Sequence, residues 1–527
     1  MLGVASRLRT LRELSLVDML LREEVAVSFE RMLRDNRSIE SLELIRNCVE
    51  NDEFAISACK LLPGLRRFVY DNLLYDEAVD QVAKLMENEN CVLEELRITR
   101  CFKKKWAGSR LATALGKNAT VTFLLLKACY LSSDVGAEFA RALEKNRCLQ
   151  RLDFSYCQMD GKGLSLLAKA FRLHNRTLQR LDMEAVSVWP DHCILLLDAM
   201  VENETLTKLN LGYLRGRDGI LEASEAIAAR GLQHRIHLGL GGVVMEEALY
   251  ELDAVRLLYT VTSLTVNIMG VYGMAMYSRM LFRFASLSKV LKVLKVNIIP
   301  LVYTDTCESL MDFLRSTTTV ETLHIDSVLN NLVMVDGVLL AMAENRTIVE
   351  WVCYDCRLYS KALPALLYLL RNNKTLAHVE VPSNLSTKEY GEIAAAIPKT
   401  LLHLNTGNKY EDFGVNEVLR QNVLRMNRAV EFVTNPEDFA ECEYVRDFED
   451  LLDMASFARH FAERRPAEKE LLPSLLARAK RYVREHFFEF TGICNEVVPC
   501  CNSSGKPLLN YECWQHVFSF LTLNVVK

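Results

Sequence analysis

No stretch of this 527-residue chain approaches the roughly 18 uninterrupted apolar residues that a membrane-crossing helix requires. Even the run VLKVLKVNIIPLVY is broken by two lysines. The opening MLGVASRLRTLREL is already charged and amphipathic, which argues against a secretory leader. A charge excess of one sign is also missing. With 63 basic and 68 acidic residues and a net charge of -5, the chain has no global electrostatic footprint for nucleic acid. A local run, Lys103-Lys104-Lys105, stays open to two readings, a contact for an anionic partner or a solvated loop.

Catalytic signatures are missing as well. There is no G-x-x-x-x-G-K-[ST] phosphate loop, no H-E-x-x-H and no G-x-S-x-G. Cys353-x-x-Cys356 has no second pair at zinc spacing and reads as structural, and Cys500-Cys501 reads as an exposed pair in a loop. The ten histidines are scattered along the chain, mostly singly. No catalytic residue, cofactor, metal ion or small-molecule substrate is therefore expected, and neither membrane nor nucleic acid is the expected partner. Without a leader, the sixteen cysteines read as reduced thiols in the cytoplasm.

What the chain does contain is a phrase repeated about every 28 residues. It reads apolar, any residue, apolar, and then, three positions on, a Cys, Asn or apolar residue. Leu14-Ser15-Leu16…Met19 begins the series, followed by Leu42-Glu43-Leu44…Asn47, Phe68-Val69-Tyr70…Leu73 and Leu96-Arg97-Ile98…Cys101. Leu124, Leu152, Leu181 and Leu209 open the next copies, a weaker one falls at Leu238, and Leu264, Leu294, Leu323, Trp351 and Val379 open the last five. A period of this length predicts a solenoid whose unit is one strand plus one helix. Each repeat buries its apolar face only against its neighbours, so the array grows in one dimension without a larger core. Because helices are wider than strands, the stack is expected to curve into a horseshoe with its strands on the concave side.

An Asn-x-x-Leu/Ile/Val opening precedes many of the phrases, as at Asn118, Asn146, Asn175, Asn203, Asn345 and Asn373. Asn tolerates the left-handed conformation that ends a helix, which accounts for its place there. Gly161 and Gly163 are expected to permit the turn after Cys157. The stretch 212–259 lacks the regular opening and carries Gly239, Gly241 and Gly242, so it reads as an irregular repeat. The first repeat starts almost at Met1; either Leu8 to Leu16 is its cap or a longer protein precedes it.

A leucine-rich unit of this length resembles the ribonuclease-inhibitor class of leucine-rich repeat. That class also forms the sensor ends of NOD-like receptors and the body of Ran GTPase activators. The resemblance implies an α/β horseshoe of about 14 repeats over residues 1–405, irregular at 212–259, and a surface that binds protein. A Ran-type activator would use an arginine on an early loop and a long acidic tail; here no arginine stands out and no such tail follows.

Period-2 alternation exposes the residues between and beside the ladder positions. On the concave face this selects Arg97, Arg151, Asp153, Arg180, Asp182, Glu184, Lys208 and Asn210, and further on His324, Asp326 and Tyr354. The basic and acidic columns either pair with one another across strands or recognise a charged segment of a partner. Trp351 occupies a ladder slot and is expected in the core.

Past residue 405 the phrase fades. EVLRQNVLRMNRAVEFV reads as a helix sealing the array within 406–435, and Asn435-Pro436 breaks it. Residues 436–527 read as a separate helical region, with helices over Phe439–Glu463, Glu470–Phe490 and Glu512–Leu523 and a loop at 498–508. Leu509 to Leu521 resembles the first helix of an F-box, with Asn510 where that pattern has proline; the resemblance implies adaptor contacts by Trp514, Val517, Phe518 and Leu521. Leu475, Ala479 and Val483 resemble the short box by which some receptors bind elongin B/C, with Ala479 where Cys is usual. These helices either cap the array or hold a ubiquitin-ligase adaptor.

Overall fold

The computed structural model describes residues 10–486 except 37, 50–52, 73, 101–103, 215–216, 241–259, 269–273, 299–303, 327–331, 354–357, 382, 407–412, 440–450 and 453. The chain is an α/β repeat solenoid followed by C-terminal helices, and it divides into two compact units.

Unit 1 takes residues 1–274 and 288–294. Its principal strands are β1 (Glu13–Val17), β2 (Ser41–Ile45), β3 (Arg67–Asp71), β4 (Glu95–Thr99), β5 (Phe123–Lys127), β6 (Arg151–Asp153), β7 (Arg180–Asp182), β8 (Lys208–Leu214), β9 (Ile236–Leu240) and β10 (Ser263–Ile268). They pair in chain order and all in parallel, with Leu14, Leu42, Phe68, Leu96, Leu124, Leu152, Leu181 and Leu209 in one register row. Between the strands run α1 (Glu23–Asp35), α2 (Glu53–Leu61), α3 (Asp76–Glu87), α4 (Lys105–Lys117), α5 (Ser133–Lys145), α6 (Gly161–Leu173), α7 (Pro190–Glu202) and α8 (Arg217–Ala229). Strand leucines and helix side chains form one core, in which Phe139 of α5 meets Phe154 edge to face at 5.4 Å.

Unit 2 takes residues 275–287 and 295–527. Helix α9 (Met274–Leu287) and strand β11 (Val293–Ile298) fall across the division. Strands β12 (Thr322–Asp326), β13 (Glu350–Cys353), β14 (His378–Glu380) and β15 (His403–Asn405) form a parallel ladder in chain order. They alternate with α10 (Thr304–Ser316), α11 (Leu332–Glu344), α12 (Leu363–Asn372) and α13 (Thr387–Ala396). Trp351 is 1% exposed in its ladder slot, as its position predicts.

The asparagine that opens each unit works differently from the sequence expectation. Asn118, Asn146, Asn203 and Asn373 are extended, not left-handed. Their value lies in the side chain. Each Nδ2 donates to a carbonyl in the last turn of the helix one repeat earlier, Asn118 to Met86, Asn146 to Leu115, Asn175 to Leu143, Asn203 to Phe171, Asn345 to Leu314 and Asn373 to Met342, at 2.7–2.9 Å. Each Oδ1 accepts from backbone N–H groups of the turn that leads to the next strand, as from Cys148 and Leu149 to Asn146 at 3.0 and 2.8 Å. One buried amide thus satisfies helix-end carbonyls that have no partner of their own and fixes the following turn.

The left-handed residues sit elsewhere. Asp18, Arg46, Arg100, Ala128, Tyr156 and Ala185, at the same place in six repeats, have φ of 50–61°. In five of them this aims the N–H at a carbonyl in the next repeat, as from Ala128 to Ser155 at 3.1 Å, and so extends the ladder past the strand. The residue that follows fills the Cys/Asn slot, where Asn47 Nδ2 donates to Leu16 O at 2.8 Å and Cys157 Sγ to Leu126 O at 2.9 Å. In the third repeat Asn72 takes the same part, accepting from Asn47 N at 2.8 Å, while Leu73, expected in the slot, lies outside the described residues.

Gly161 and Gly163 also differ from expectation. They lie in the first turn of α6 without a positive φ. What Gly163 permits is close helix approach, since a Cβ on Gly136 of α5 would stand 3.0 Å from its Cα. The irregular repeat begins at Gly212, where any Cβ would collide with the backbone of Met183 and Val186. There the register shifts: Leu238 pairs with Leu211 on one side and with Leu264 on the other. Residues 241–259 of that repeat lie outside the described residues.

The C-terminal helices are α14 (Phe413–Thr434), α15 (Ala455–Arg464) and α16 (Leu472–Glu485). Of the helix expected over Phe439–Glu463, Ala455–Arg464 is helical and Pro436–Phe439 forms a 3₁₀ turn, while residues 440–450 and 453 lie outside the described residues. Met426 and Phe432 of α14, Phe457 and Phe461 of α15, and Leu472, Ala479 and Val483 of α16 share one core. Val349, Ala377 and Leu402, each just ahead of a strand, belong to it too. None of the described helices is long and apolar enough to cross a membrane.

Candidate functional site

Alternation along the parallel strands places one side chain from each repeat outside the ladder. In unit 1 the residue before the ladder position is Phe123, Arg151, Arg180 and Lys208 on β5 to β8, and the residue after it is Leu125, Asp153, Asp182 and Asn210. Neighbouring strands stand about 5 Å apart, so these side chains reach one another. Arg151 Nε donates to Asp182 Oδ2 at 3.1 Å, and its Nη2 forms an ion pair with the same oxygen at 3.1 Å. Arg180 Nε donates to the same carboxylate at 2.8 Å, and Arg180 Nη2 to its Oδ1 at 2.9 Å.

Depth corrects the sequence expectation for the two carboxylates. Asp153 and Asp182 are buried, at 7% and 3%, although alternation alone would expose them. The arginines lie over them and keep their guanidinium groups outward. Burial pushes the Asp153 carboxyl up, reinforced by the neighbouring charge of Asp182 and opposed by the Ser155 N–H that it accepts at 2.9 Å. Asn210 Oδ1 is buried and has no hydrogen-bond partner among the described residues. Lys208 is exposed.

Arg97 pairs with Glu95 and also stands over the Phe123 ring at 4.8 Å, opposite Arg151 at 4.3 Å. Phe123 is thus held between two guanidiniums, an arrangement the sequence reading missed although Phe123 occupies the same column as Arg151. Closer to the first strand the columns are balanced. Arg67 joins Glu43 and Glu95, and Ser15 donates to Glu43 at 2.8 Å. Burial raises the Glu43 carboxyl, but the hydrogen bonds from Arg67 and Ser15 outweigh it, so the net shift is downward. Glu184 is half-buried; its N–H donates to Ser155 Oγ at 3.2 Å and its carboxylate accepts from the Tyr156 hydroxyl at 3.5 Å.

In unit 2 the same face is already occupied. Arg459 of α15 pairs with Glu350 of β13 and donates to Thr322 Oγ1 of β12 at 3.1 Å. His324 lies 2.9 Å from the other oxygen of Glu350. Burial would raise Glu350, yet the hydrogen bond from His324 and the charge of Arg459 hold it down at about 2. The His378 and His403 rings lie alongside, tilted by 32° with centroids 5.9 Å apart, and His460 Nε2 contacts Asn427 Oδ1 at 2.8 Å. Four histidines scattered in sequence therefore meet on one face. No local signal marks Arg459, because its partner lies 109 residues away. Asp326 is exposed at the end of β12, and Tyr354 lies outside the described residues.

The adaptor-type residues of α16 face inward. Ala479 is 0% and Val483 4% exposed, and Leu475 packs against the same core, so none of the three stands on a free surface. Trp514, Val517, Phe518 and Leu521, together with Cys356, Cys500 and Cys501, lie outside the described residues. Among the described residues no group of His, Cys, Asp and Glu could hold a metal ion. Cys59, Cys91, Cys148 and Cys193 are outside any disulfide, and burial raises Cys59 and Cys193 to about 12.

No protein-family model matches the chain. It is similar to the mouse NACHT, LRR and PYD domains-containing protein 14, 24% identical over 170 residues, 27% of this chain and 17% of that protein. The human protein of the same description is 24% identical over 215 residues, 35% of this chain and 20% of the relative. The chain thus matches a fifth or less of the length of either relative. Among solved structures, leiomodin-1 actin-binding site 2 aligns at 19% identity and a TM-score of 0.24, over 29% of this chain and 87% of that one. The weak similarity to proteins named for their leucine-rich repeats and the repeated strand–helix unit fit a leucine-rich-repeat protein.

Proposed function

We propose that this protein is a non-catalytic protein-interaction scaffold of the cytoplasm that binds a partner through the strand face of unit 1. The observation that carries the reading is the column Arg151, Arg180 and Lys208, which sets three outward cations at equivalent places on three adjacent strands. Residues held only for the ladder would end in apolar or small side chains. These are long, half-exposed or exposed, and fixed by the sheet, which suits recognition of another surface. Leucine-rich repeats in the similar proteins agree with a binding role.

A tagged full-length chain is compared with an Arg97→Ala/Lys208→Glu variant and with Lys169→Glu, which changes an exposed residue of α6. Partners identified by mass spectrometry are expected to be lost from the strand-face variant and kept by the helix-face control. A partner set indifferent to the strand-face substitutions overturns the reading. No observation favours a ubiquitin-ligase receptor or a GTPase activator over this function.

A further inference from the structure

On the strand face of unit 1, charges that alternate in sequence separate in depth. The side chains of Asp153 and Asp182 keep 11% and 4% of their surface, whereas those of Arg151 and Arg180 keep 37% and 42%. One carboxylate, Asp182, accepts from both arginines. Lys208 stands beside Arg180 in register and is exposed, and among the described residues it forms no ion pair. The outer layer over β6, β7 and β8 is therefore cationic, with its counter-charges sunk beneath it.

The layer is also pre-organised. The Phe123 ring lies against Arg151 at 4.3 Å, and Asp182 holds Arg151 and Arg180 from below. A guanidinium fixed in this way offers its remaining N–H donors to a carboxylate with little further loss of freedom. The size of the patch separates two kinds of anion. In the same column Phe123 and then the carboxylate of Glu95 follow Arg151 towards the first strand, and Glu184 lies two residues past Asp182. A continuous polyphosphate would run on into those carboxylates, whereas a peptide with a few acidic side chains would end before them.

We propose that the Arg151–Arg180–Lys208 surface receives an acidic peptide segment of a partner protein. This rests on the scaffold reading and names the chemistry of its partner. The test measures fluorescence anisotropy of a labelled short oligoglutamate and of an oligolysine of equal length with the full chain. Oligoglutamate is expected to bind saturably and to weaken several-fold between about 0.05 and 0.2 M salt, as exposed ion pairs do. Oligolysine is expected not to bind. Lys208→Glu should weaken oligoglutamate binding at least about fivefold, and Lys208→Arg should keep it. Arg180→Gln is a second variant on the same patch with the same expectation, and Lys169→Glu should change nothing.

Absence of oligoglutamate binding by the folded wild type, or equal losses in Lys208→Glu and Lys169→Glu, overturns the inference. Tighter binding of a short oligothymidylate, with the same dependence on Lys208, overturns it in favour of nucleic acid. Partner capture that needs the strand face while oligoglutamate fails to bind leaves the scaffold reading standing and removes the acidic partner. Failure of both removes the two together.

Discussion

Replacing Asn146 by alanine deletes a side chain that joins two repeats. Its Nδ2 donates to Leu115 O at 2.8 Å and to Asn118 O at 3.0 Å, and its Oδ1 accepts from the N–H of Cys148 at 3.0 Å and of Leu149 at 2.8 Å. The residue is 1% exposed, so water does not replace these bonds without rearrangement. Each buried group left unsatisfied costs about 1–3 kcal/mol, and relaxation of the turn recovers part of that, which leaves about 3–5 kcal/mol for Asn146→Ala. Asn146→Asp separates the halves of the effect, because it keeps the acceptor and removes both donors. It should destabilise at least as much at neutral pH, with a carboxylate facing the Leu115 carbonyl. Urea unfolding followed by circular dichroism measures both, with the slope of the transition checked for constancy. Lys145→Ala, one residue earlier and exposed, should stay within about 0.5 kcal/mol of wild type. A loss below about 1 kcal/mol for Asn146→Ala, with an unchanged slope, would show that the asparagine ladder does not hold the repeats together.

Leu152→Ala, at a fully buried ladder position, should cost about 2–5 kcal/mol in the same assay, and an effect like that of a surface substitution would remove the ladder from the account of stability. Arg459→Met leaves the half-buried Glu350 without its cation, and should loosen α15 by about 1–3 kcal/mol, read as faster amide exchange in residues 455–464 and none in α5. Acid should act on the same region. Burial lowers His378, helped by the charge of Arg459 and by His403 and opposed by Glu350 and Glu463; burial likewise lowers His460, opposed by Glu463 and helped by Arg464 and His378. A lowered histidine stabilises the fold fully above its unfolded value of 6.5 and loses that contribution as pH falls through its folded value, so exchange in α15 should rise as pH falls below 6.5. Glu350 adds nothing to this rise above pH 4.5, because its contribution is lost only as pH falls from 4.5 towards about 2. His378→Gln should flatten the dependence, and a profile equally steep in that variant would refute the assignment.

The repeat phrase was enough to locate the ladder. Leu42, Leu96, Leu124, Leu152 and Leu181 share one register row, and Trp351 is buried where its slot put it. That part is legible because burial on a strand has period two and the repeat has a fixed length, so local pattern and tertiary position carry the same information. The asparagines were legible as positions and misread as conformations. Asn can both adopt the left-handed region and bridge backbone groups, and only the neighbouring helix end shows which capacity is used. The register shift at Gly212 depends on the backbone of another repeat, which no pattern of side chains encodes.

The proposed binding face divides in the same way. Composition and alternation by themselves determined that Arg151, Arg180 and Lys208 would stand in one column, since each occupies the same place in its repeat. Only the tertiary structure decided that Asp153 and Asp182 would sink beneath the arginines while the cations stayed outside. Depth depends on what the flanking strands contribute, here the Phe123 ring and a second arginine on one carboxylate. Arg459 is the extreme case. Its place over Glu350 depends on how α14, α15 and α16 pack beside β13 to β15, a contact between segments far apart in sequence that no local spacing announces.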